Sequence, residues 1–294
     1  MMRFGYPILA LMLAALPAAA DPAVTKCESC AAWNVPQTPF RIYGDTYYVG
    51  TRELSSILIA SDQGLVVIDG DLTESAPHIE GNIRALGFRP EDIKLILNSH
   101  AHFDHAAGIA PLQRFSGAKV AASPKSAEVL RRGSLSPDDP QHDILPPPMQ
   151  PVPKVDVIRD GQTLRVGPLA LTAHFTPGHT PGGTSWSWTS CEQQRCLHIV
   201  YADSLTAVSA DDYRYTDHSD LVAGFEKSFA TLETMPCDIL LTPHPGFSNI
   251  LGRLEARDKG GKPDAFIDSG ACKKLAQSSR EGLAKRLAQE KAAK

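Results

Sequence analysis

A cluster of histidine and aspartate directly after a short apolar run is the strongest constraint that this sequence places on its fold. Residues 98–105 read Asn-Ser-His-Ala-His-Phe-Asp-His, directly after the apolar run Leu95-Ile96-Leu97. A short apolar run of this kind predicts a buried strand, so the polar cluster falls in the loop that follows it. Imidazole nitrogens and carboxylate oxygens are ligands that zinc takes in proteins. The cluster therefore predicts a loop that holds metal.

Two further histidines stand in rigid turns. His179 lies within Thr-Pro-Gly-His-Thr-Pro-Gly-Gly (residues 176–183), and His244 lies within Thr-Pro-His-Pro-Gly (residues 242–246). Proline and glycine restrict the backbone and remove bulky neighbours, so each imidazole projects at a set angle. We interpret the remaining histidines as ordinary surface or core residues; they are His78, His142, His174, His198 and His218.

The spacing within the cluster favours two metals rather than one. The alternation of His100 and His102 sends two imidazoles to one side, whereas the adjacent Asp104 and His105 can face a different point. Each metal then keeps positions open for water or substrate, which is typical of a catalytic site. The predicted ligand sets are His100, His102 and His179 for the first metal, and Asp104, His105 and His244 for the second.

The order of predicted elements is similar in the two halves of the chain. Strands are expected over residues 47–49, 56–60, 65–68, 94–97 and 119–122, with helices over 73–86, after 106 and over 124–132. Residues 27–40 are expected to be irregular. The second half predicts strands over 163–166, 169–174, 184–188, 198–201 and 238–241, and helices over 221–235 and from 264 to the end. This order favours two packed sheets with helices outside.

A proline-rich stretch separates the two halves. Residues 134–155 contain prolines at positions 137, 140, 146, 147, 148, 151 and 153, which exclude regular structure. A long loop inside a compact domain is often functional, so this stretch is interpreted either as a wall over a site or as a linker.

Length and charge narrow the class of protein. A chain of 294 residues with 43% hydrophobic content can bury one large core or two modest ones. A formal net charge of -4 and a pI near 6.2 argue against nucleic acid as a partner.

The first twenty residues are expected to be a signal peptide. Arg3 supplies a positive charge, residues 7–16 are almost wholly apolar, and Pro17-Ala18-Ala19-Ala20 offers a cleavage site after Ala20. The apolar run is too short to span a bilayer. The less favoured alternative is a buried N-terminal helix. We therefore expect residues 21–294 to form one exported, periplasmic domain without a membrane anchor.

Six cysteines fit an oxidising compartment. One pair brackets a polar turn between two strands, a second would tie the last strand to the C-terminal helix, and the third forms a C-x-x-C. That third pair is interpreted as a local disulfide or an exchange-active pair in preference to a zinc site. Six cysteines allow fifteen connectivities, so the pairings are hypotheses. The expected pairs are Cys191 with Cys196, Cys237 with Cys272, and Cys27 with Cys30.

The run His-Ala-His-Phe-Asp-His at residues 100–105 resembles the signature of the metallo-β-lactamase superfamily. The resemblance implies an α+β fold, a four-layer αββα sandwich with the metal site at one edge between the sheets. Residues 178–186, 201–206 and 242–245, together with the cysteine pair of the last strand and final helix, are similar to the third subclass of true metallo-β-lactamases. The likeness extends over essentially the whole mature chain.

The resemblance also implies roles for individual residues. It supports the same two ligand sets, and Ser204 stands where the first two lactamase subclasses carry a cysteine ligand. Ser204 and Thr206 are expected to bind the substrate carboxylate, directly or through water. Asp69 is expected to steady the metal loop from behind the ligands. Asp203 has two interpretations, because related hydrolases such as glyoxalase II use an aspartate near this point to bridge two metals, whereas the lactamase pattern leaves it outside the ligand set.

The activity that the resemblance implies is zinc-dependent hydrolysis of the β-lactam amide of penicillins, cephalosporins and carbapenems, which confers antibiotic resistance. Two Zn²⁺ per chain would share a hydroxide that attacks the lactam carbonyl, and Asp104 would ligate metal and handle a proton. The expected partner is a small β-lactam and the expected state a monomer. The alternatives are another hydrolase of the superfamily, acting on a lactone, thioester or phosphoester, and, least favoured, a non-catalytic zinc-binding protein.

Overall fold

The computed structural model describes residues 1–2, 25, 27–142 and 149–293. The predicted signal peptide, beyond its first two residues, lies outside the described residues, and so do prolines 146–148 of the proline-rich stretch. Within the part of the chain that is described, no helix combines the length and apolar character needed to cross a membrane.

The first sheet has seven strands in sequential order. Strands β1 to β4 pair antiparallel, and β4 to β7 pair parallel. The strands are β1 Phe40–Tyr43, β2 Thr46–Tyr48, β3 Ile57–Ser61, β4 Gly64–Ile68, β5 Ile93–Leu97, β6 Lys119–Ala122 and β7 Asp156–Val157.

The second sheet has five strands, in the order β12-β11-β10-β9-β8. Its first four strands in the chain pair antiparallel, and β12 pairs parallel with β11. The strands are β8 Thr163–Val166, β9 Leu169–Phe175, β10 Thr184–Glu192, β11 Arg195–Tyr201 and β12 Ile239–Leu241.

Nine α-helices occur among the described residues. Three further short segments, Thr73–Ser75, Pro90–Asp92 and Tyr215–Asp217, are 3-10 helices. The α-helices are α1 Cys30–Trp33, α2 Ala76–Ala85, α3 Phe103–Ala106, α4 Ile109–Ser116, α5 Pro124–Arg132, α6 Ser219–Thr234, α7 Pro245–Ser248, α8 Ile250–Asp258 and α9 Ala271–Ala292.

Alternating side chains along the strands build three apolar layers. In β3, Ile57 and Ile59 point between the sheets, where Trp186 from β10 packs, whereas Leu58 points toward the helices. There Leu58 shares a cluster with residues of α2, α4 and α5. On the far side, Phe225 and other residues of α6 pack with α9 against the second sheet. The layers run α-β-β-α, which confirms the predicted sandwich.

The loops that carry chemistry meet at one edge of the sandwich. Strands β4 and β5 are parallel, as are β9, β11 and β12, so their carboxyl ends point the same way within each sheet. Five loops leave these ends, and the backbone N–H of Thr184 donates to Ser99 O at 2.8 Å across the two sheets. The predicted ligand residues all lie in or directly after these loops.

Some predicted boundaries were wrong. The C-terminal helix begins at Ala271 rather than at 264, because residues 259–270 form turns around three glycines. The stretch expected to be irregular contains α1, and it ends at β1, which the sequence prediction missed. Helix α8 was also missed. The described part of residues 134–155 contains no strand or helix, as its prolines predict.

All three expected cysteine pairs come together. Cys191 and Cys196 face each other across the β10–β11 hairpin, and Cys237 before β12 meets Cys272 in α9. Cys27 meets Cys30 at the start of α1. The sulfur atoms of each pair lie within disulfide distance, and their oxidation in the cell stays a prediction.

Candidate metal centre

Asp69 holds the start of the metal loop. It follows β4 in the left-handed region, with φ of 62°, and its side chain is fully buried. Its carboxylate accepts hydrogen bonds from the backbone and hydroxyl of Ser99 at 2.8 and 2.6 Å, from Asn98 Nδ2 at 3.1 Å and from the hydroxyl of Tyr201 at 2.9 Å. These bonds join the end of β5 to β11 through the side chain of Asp69.

The first predicted ligand set comes together as three buried imidazoles. His100 and His102 leave the loop after β5, and His179 arrives from the turn after β9. Their candidate ligand atoms all lie within 4.8 Å of one another. The ring of His100 lies 4.7 Å from that of His102 and 4.9 Å from that of His179, measured between centroids. One metal ion fits between nitrogens at these separations.

The second predicted set lies directly beside the first. Asp104 Oδ2 lies 3.1 Å from His105 Nε2 and 3.3 Å from His244 Nε2. The His105 ring lies 4.5 Å from the ring of His100, which belongs to the first set. The two groups of three therefore form one centre, with His244 at its more exposed side.

The ligand histidines are oriented by groups on their far sides. His100 Nδ1 lies 2.8 Å from Asp203 Oδ1, and both side chains are fully buried. Asp203 is therefore not part of either ligand group and holds His100 from behind. Its carboxylate accepts the Nδ1 hydrogen, so the Nε2 lone pair of His100 is free to face the centre.

Backbone carbonyls hold two further ligands in the same way. His179 Nδ1 donates to the carbonyl of Thr206 at 2.8 Å, and His244 Nδ1 lies 3.2 Å from the carbonyl of Glu53. Thr206 Oγ1 also lies 3.3 Å from His179 Nδ1. Thr206 thus contacts the first ligand set through His179, in addition to the substrate role that the sequence predicted for its hydroxyl.

The donor set fits a metal. His100 Nε2 and His105 Nδ1 are buried and have no hydrogen-bond partner among the described residues. A buried polar atom without a partner costs about 1–3 kcal/mol, a cost that coordination removes. Imidazole nitrogens with one carboxylate suit zinc, which takes four or five ligands. The second set holds two imidazoles and one carboxylate, which also suits zinc.

Burial and neighbouring charges give the ligands the protonation states that metal binding needs. Burial holds the pKa of His100 well below its usual value, and burial with the nearby charge of His102 lowers the pKa of His179 to about 3. Burial alone would raise the pKa of Asp104, but His105 and His244 hold it well below its usual range. At neutral pH these groups are two neutral imidazoles and an anion, as ligation requires.

His244 behaves differently. Burial alone would lower its pKa, but the hydrogen bond and charge of Asp104 raise it above the usual value. Without metal, His244 is thus the ligand that Asp104 tends to keep protonated. Metal binding at this group would require His244 to lose that proton.

The residues predicted to bind substrate line a small cavity beside the centre. Ser204 and Thr206 share it with Phe247 of α7 and with Leu275 and Ser279 of α9. Ser204 is largely buried. Asp203 also lines this cavity, and Asp203 contacts the far side of the His100 ring.

Besides Glu53, whose carbonyl contacts His244, further residues that touch the centre were not singled out from the sequence. Asp139 and Gln141, in the proline-rich stretch, contact His102 and His179 respectively, at 3.2 and 3.4 Å. The ring of Trp33 lies 5.6 Å from that of His244. The sequence left this stretch as either a wall over a site or a linker, and side-chain polarity alone does not tell Asp139 from the adjacent Asp138.

The fold and the centre define a class of protein, namely an αββα metalloprotein with two adjacent metal-binding groups at one sheet edge. The family model of the metallo-beta-lactamase superfamily matches residues 49–191. The solved structure of Rm3 metallo-beta-lactamase is 53% identical with a TM-score of 0.87, covering 90% of this chain and 99% of that one.

MEM-A1, a subclass B3 metallo-beta-lactamase isolated from a soil metagenome library, is 48% identical with a TM-score of 0.85, covering 89% of this chain and 100% of that one. Among curated relatives, a hydroxyacylglutathione hydrolase from Methylobacterium nodulans is 30% identical over 136 residues, covering 43% of this chain and 44% of the relative. The chain spans about half the length of the curated relatives it matches. The chain belongs to the metallo-β-lactamase superfamily and, within it, to the subclass B3 metallo-β-lactamases.

Proposed function

We propose that the protein is a zinc-dependent β-lactamase that opens the lactam amide of penicillins, cephalosporins and carbapenems and so confers antibiotic resistance. The observation that carries the proposal is the pair of adjacent ligand groups, three histidines beside an aspartate and two histidines. The 53% identity to a metallo-beta-lactamase over 99% of that chain supports the same reaction.

We assign one Zn²⁺ to each ligand group, two per chain. When bound, zinc lowers the pKa of a coordinated water to about 7 and polarises a carbonyl oxygen. The side chains and backbone around the ligands set the protonation and orientation of the histidines. His100 and His179 are held as neutral ligands by burial, with Asp203 and the Thr206 carbonyl behind them. The fixed rings keep the reacting geometry without a reorganisation cost.

Asp104 combines two roles in this proposal. Its pKa is held well below the usual range by His105 and His244, so it remains a carboxylate throughout neutral pH. As an anion it ligates metal, and it also provides an oxygen that accepts a proton during hydrolysis. Its Oδ2 already lies near two ring nitrogens, so the other carboxylate oxygen is the one available to a proton donor.

Ser204 and Thr206 are proposed to bind the carboxylate that β-lactams carry beside the lactam ring. Both residues line the small cavity that Asp203 also lines. The proline-rich stretch, with Gln141 near His179, is proposed to wall the opposite side of the groove.

The second candidate is hydrolysis of a thioester or lactone, since the matched part of the hydroxyacylglutathione hydrolase is 30% identical. A bridging role for Asp203 between two metals would favour that class. The 2.8 Å contact of Asp203 Oδ1 with His100 Nδ1, on the far side of the ring, instead favours the β-lactamase.

Export to the periplasm, with the signal peptide cleaved after Ala20, oxidation of the three cysteine pairs and a monomeric state belong to the same proposal. A periplasmic enzyme meets β-lactams before they reach their targets. The oxidising compartment also suits the three cysteine pairs at disulfide distance.

The test is turnover of nitrocefin and imipenem by the purified mature protein, with S-lactoylglutathione and an acyl homoserine lactone as competing substrates. We expect lactam hydrolysis that a chelator abolishes and added zinc restores, with two zinc ions per chain by mass spectrometry. Hydrolysis of the thioester or lactone alone would overturn the proposal. One zinc per chain in a fully active sample would contradict the two-zinc assignment.

A further inference from the structure

A tight turn in the proline-rich stretch contacts the first ligand set. The backbone N–H of Asp139 donates to Ser136 O at 2.9 Å, and the backbone N–H of Gln141 donates to Asp139 Oδ1 at 2.8 Å. The turn is also tied to the other side of the groove, because Ala210 N donates to Pro140 O at 2.9 Å. Asp139 is only 5% exposed, so its carboxylate is held in one orientation.

That carboxylate points at a ligand. Both oxygens of Asp139 lie 3.2 Å from His102 Nε2, and the His102 side chain is 3% exposed. A carboxylate accepts hydrogen bonds, so Nε2 is the nitrogen that carries the hydrogen. His102 then has one lone pair left, on Nδ1, to offer to the centre.

The neighbouring ligands define what this contact does. His100 Nδ1 contacts Asp203, and His179 Nδ1 donates to the Thr206 carbonyl. Each of these imidazoles therefore has Nε2 left to bind the metal. His102 is engaged at the opposite nitrogen and so must bind through Nδ1. The wrong tautomer of His102 would put a hydrogen where the metal binds. The group that selects the tautomer therefore matters for the first metal.

We propose that Asp139 is a positioning residue that fixes His102 as its Nε2–H tautomer and thereby presents Nδ1 to the first metal. The inference rests on the proposed function, in that it takes the three-histidine set as a zinc site. Groups that orient metal ligands in this way typically contribute 10–100-fold to metal affinity.

The variant that tests it is Asp139→Asn. Asparagine keeps the size of the side chain and an Oδ1 acceptor for the backbone of Gln141, so the turn is retained. Its Nδ2 takes the place of Oδ2, 3.2 Å from His102 Nε2, so an N–H donor opposes the Nε2 hydrogen where the wild type has only acceptors. Asp138→Asn is the matched control. It makes the same change one residue away, where the carboxylate accepts from Lys125 Nζ at 2.9 Å and is exposed.

The first measurement is zinc affinity, by competition with a chromophoric chelator. We expect Asp139→Asn to weaken one of the two zinc ions about 10–100-fold and to leave the other near the wild-type value. Asp138→Asn should match the wild type at both. Circular dichroism and melting temperature check that each variant is folded.

The second measurement needs no variant. In zinc-free wild-type protein labelled with ¹⁵N-histidine, NMR should find His102 protonated at Nε2, and in the zinc-loaded protein Nδ1 should shift as a ligand. A His102 protonated at Nδ1, or equal zinc affinity in Asp139→Asn and wild type, would overturn the inference. Wild-type protein that takes up no zinc would instead sink the proposed function, and the tautomer of the zinc-free protein would still test Asp139.

Discussion

His100 and Asp203, separated by 103 positions in the chain, face each other with Nδ1 and Oδ1 2.8 Å apart, and neither side chain is exposed. His100 follows β5 of the first sheet, and Asp203 follows β11 of the second. The contact therefore joins the two sheets at the edge where the centre lies. It also directs His100 Nε2, a buried nitrogen without a partner among the described residues, toward the other ligands.

Replacing Asp203 with alanine should weaken the first zinc. The His100 ring would lose the acceptor that orients it, so we expect a 10–100-fold loss in zinc affinity and a parallel fall in kcat/KM at limiting zinc. The matched control is Asp211→Ala, an exposed aspartate further along the same segment. Chelator competition gives the affinity. Unchanged affinity in Asp203→Ala would contradict this role.

Asp104→Ala should remove most of the activity and leave the fold intact. Asp104 is the only carboxylate in the second ligand group, so its loss leaves His105 and His244 as ligands. We expect at least a hundredfold lower kcat and close to one zinc per chain, since mutation of a ligand costs more than that of a supporting group. Turnover assays and metal analysis check this. Full activity with one zinc would mean that the second group is not catalytic.

Glu290 should make stability depend on pH in the acid range. It lies in α9 and accepts from the backbone of Thr216 at 2.8 Å, from Arg286 Nε at 2.7 Å and from the backbone of Tyr215 at 3.1 Å. Burial alone would raise its pKa, but the backbone of Thr216 and the guanidinium of Arg286, with Tyr215, lower it to about 2.

A carboxyl whose folded pKa lies below its unfolded value stabilises the protein above the unfolded value and loses that effect as the pH falls through the folded one. The window here runs from about pH 4.5 down to about 2. The full effect is on the order of 3 kcal/mol. The free energies of unfolding of the wild type and Glu290→Gln, measured in urea, should differ most above pH 4.5 and converge as the pH falls toward about 2. Glu281→Gln, an exposed change in the same helix, should follow the wild type. If the wild type and Glu290→Gln differed in unfolding free energy by the same amount at every pH, titration of Glu290 would be excluded as the cause.

Gly178→Ala should destabilise the turn that carries His179. Gly178 has a φ of +145°, which side-chain-bearing residues rarely adopt, and a Cβ there would overlap the ring of Phe225. We expect Gly178→Ala to lower the free energy of unfolding by about 2–4 kcal/mol and to weaken zinc binding at the first ligand group. Gly81→Ala is the control, because Gly81 lies in α2 with open space around it. Alanine there should raise the free energy of unfolding by about 0.5–1 kcal/mol. Urea unfolding measures both; equal effects would be contrary to this account.

The cysteine pair between β12 and α9 should matter more for stability than the hairpin pair. Cys237 and Cys272 are 35 residues apart, whereas Cys191 and Cys196 are 5 apart. Loop-closure entropy then predicts that the first crosslink stabilises the folded protein by about 4 kcal/mol and the second by about 2 kcal/mol. Peptide mapping without reductant tests the pairing, and urea unfolding of Cys272→Ser and Cys196→Ser tests the order. Free thiols in protein secreted to the periplasm would refute the predicted crosslinks.

The strands beside the centre were predictable because their apolar residues recur with the spacing of buried strands. Strand β6 and helix α5 were predicted to the residue, and β5 within one residue. Strand β1, Phe40–Tyr43, was missed because it is short and follows a polar segment. Helix α8 was missed because its polar sequence buries little beyond Ile250, so the hydrophobic pattern that predicts helices is weak there.

By itself, the sequence determined the ligand chemistry. Histidine and aspartate in a strand-end loop, together with two histidines in proline-glycine turns, predict a two-metal centre. The type of side chain decides whether a residue can bind zinc, and a rigid turn holds that side chain in one orientation. Only the tertiary structure decided which nitrogen of each ligand histidine meets a supporting group. Asp203 and the carbonyl of Thr206 come from the loop after β11, whereas Asp139 comes from the proline-rich stretch. A hydrogen bond between distant loops depends on how the sheets pack, which residue spacing does not encode.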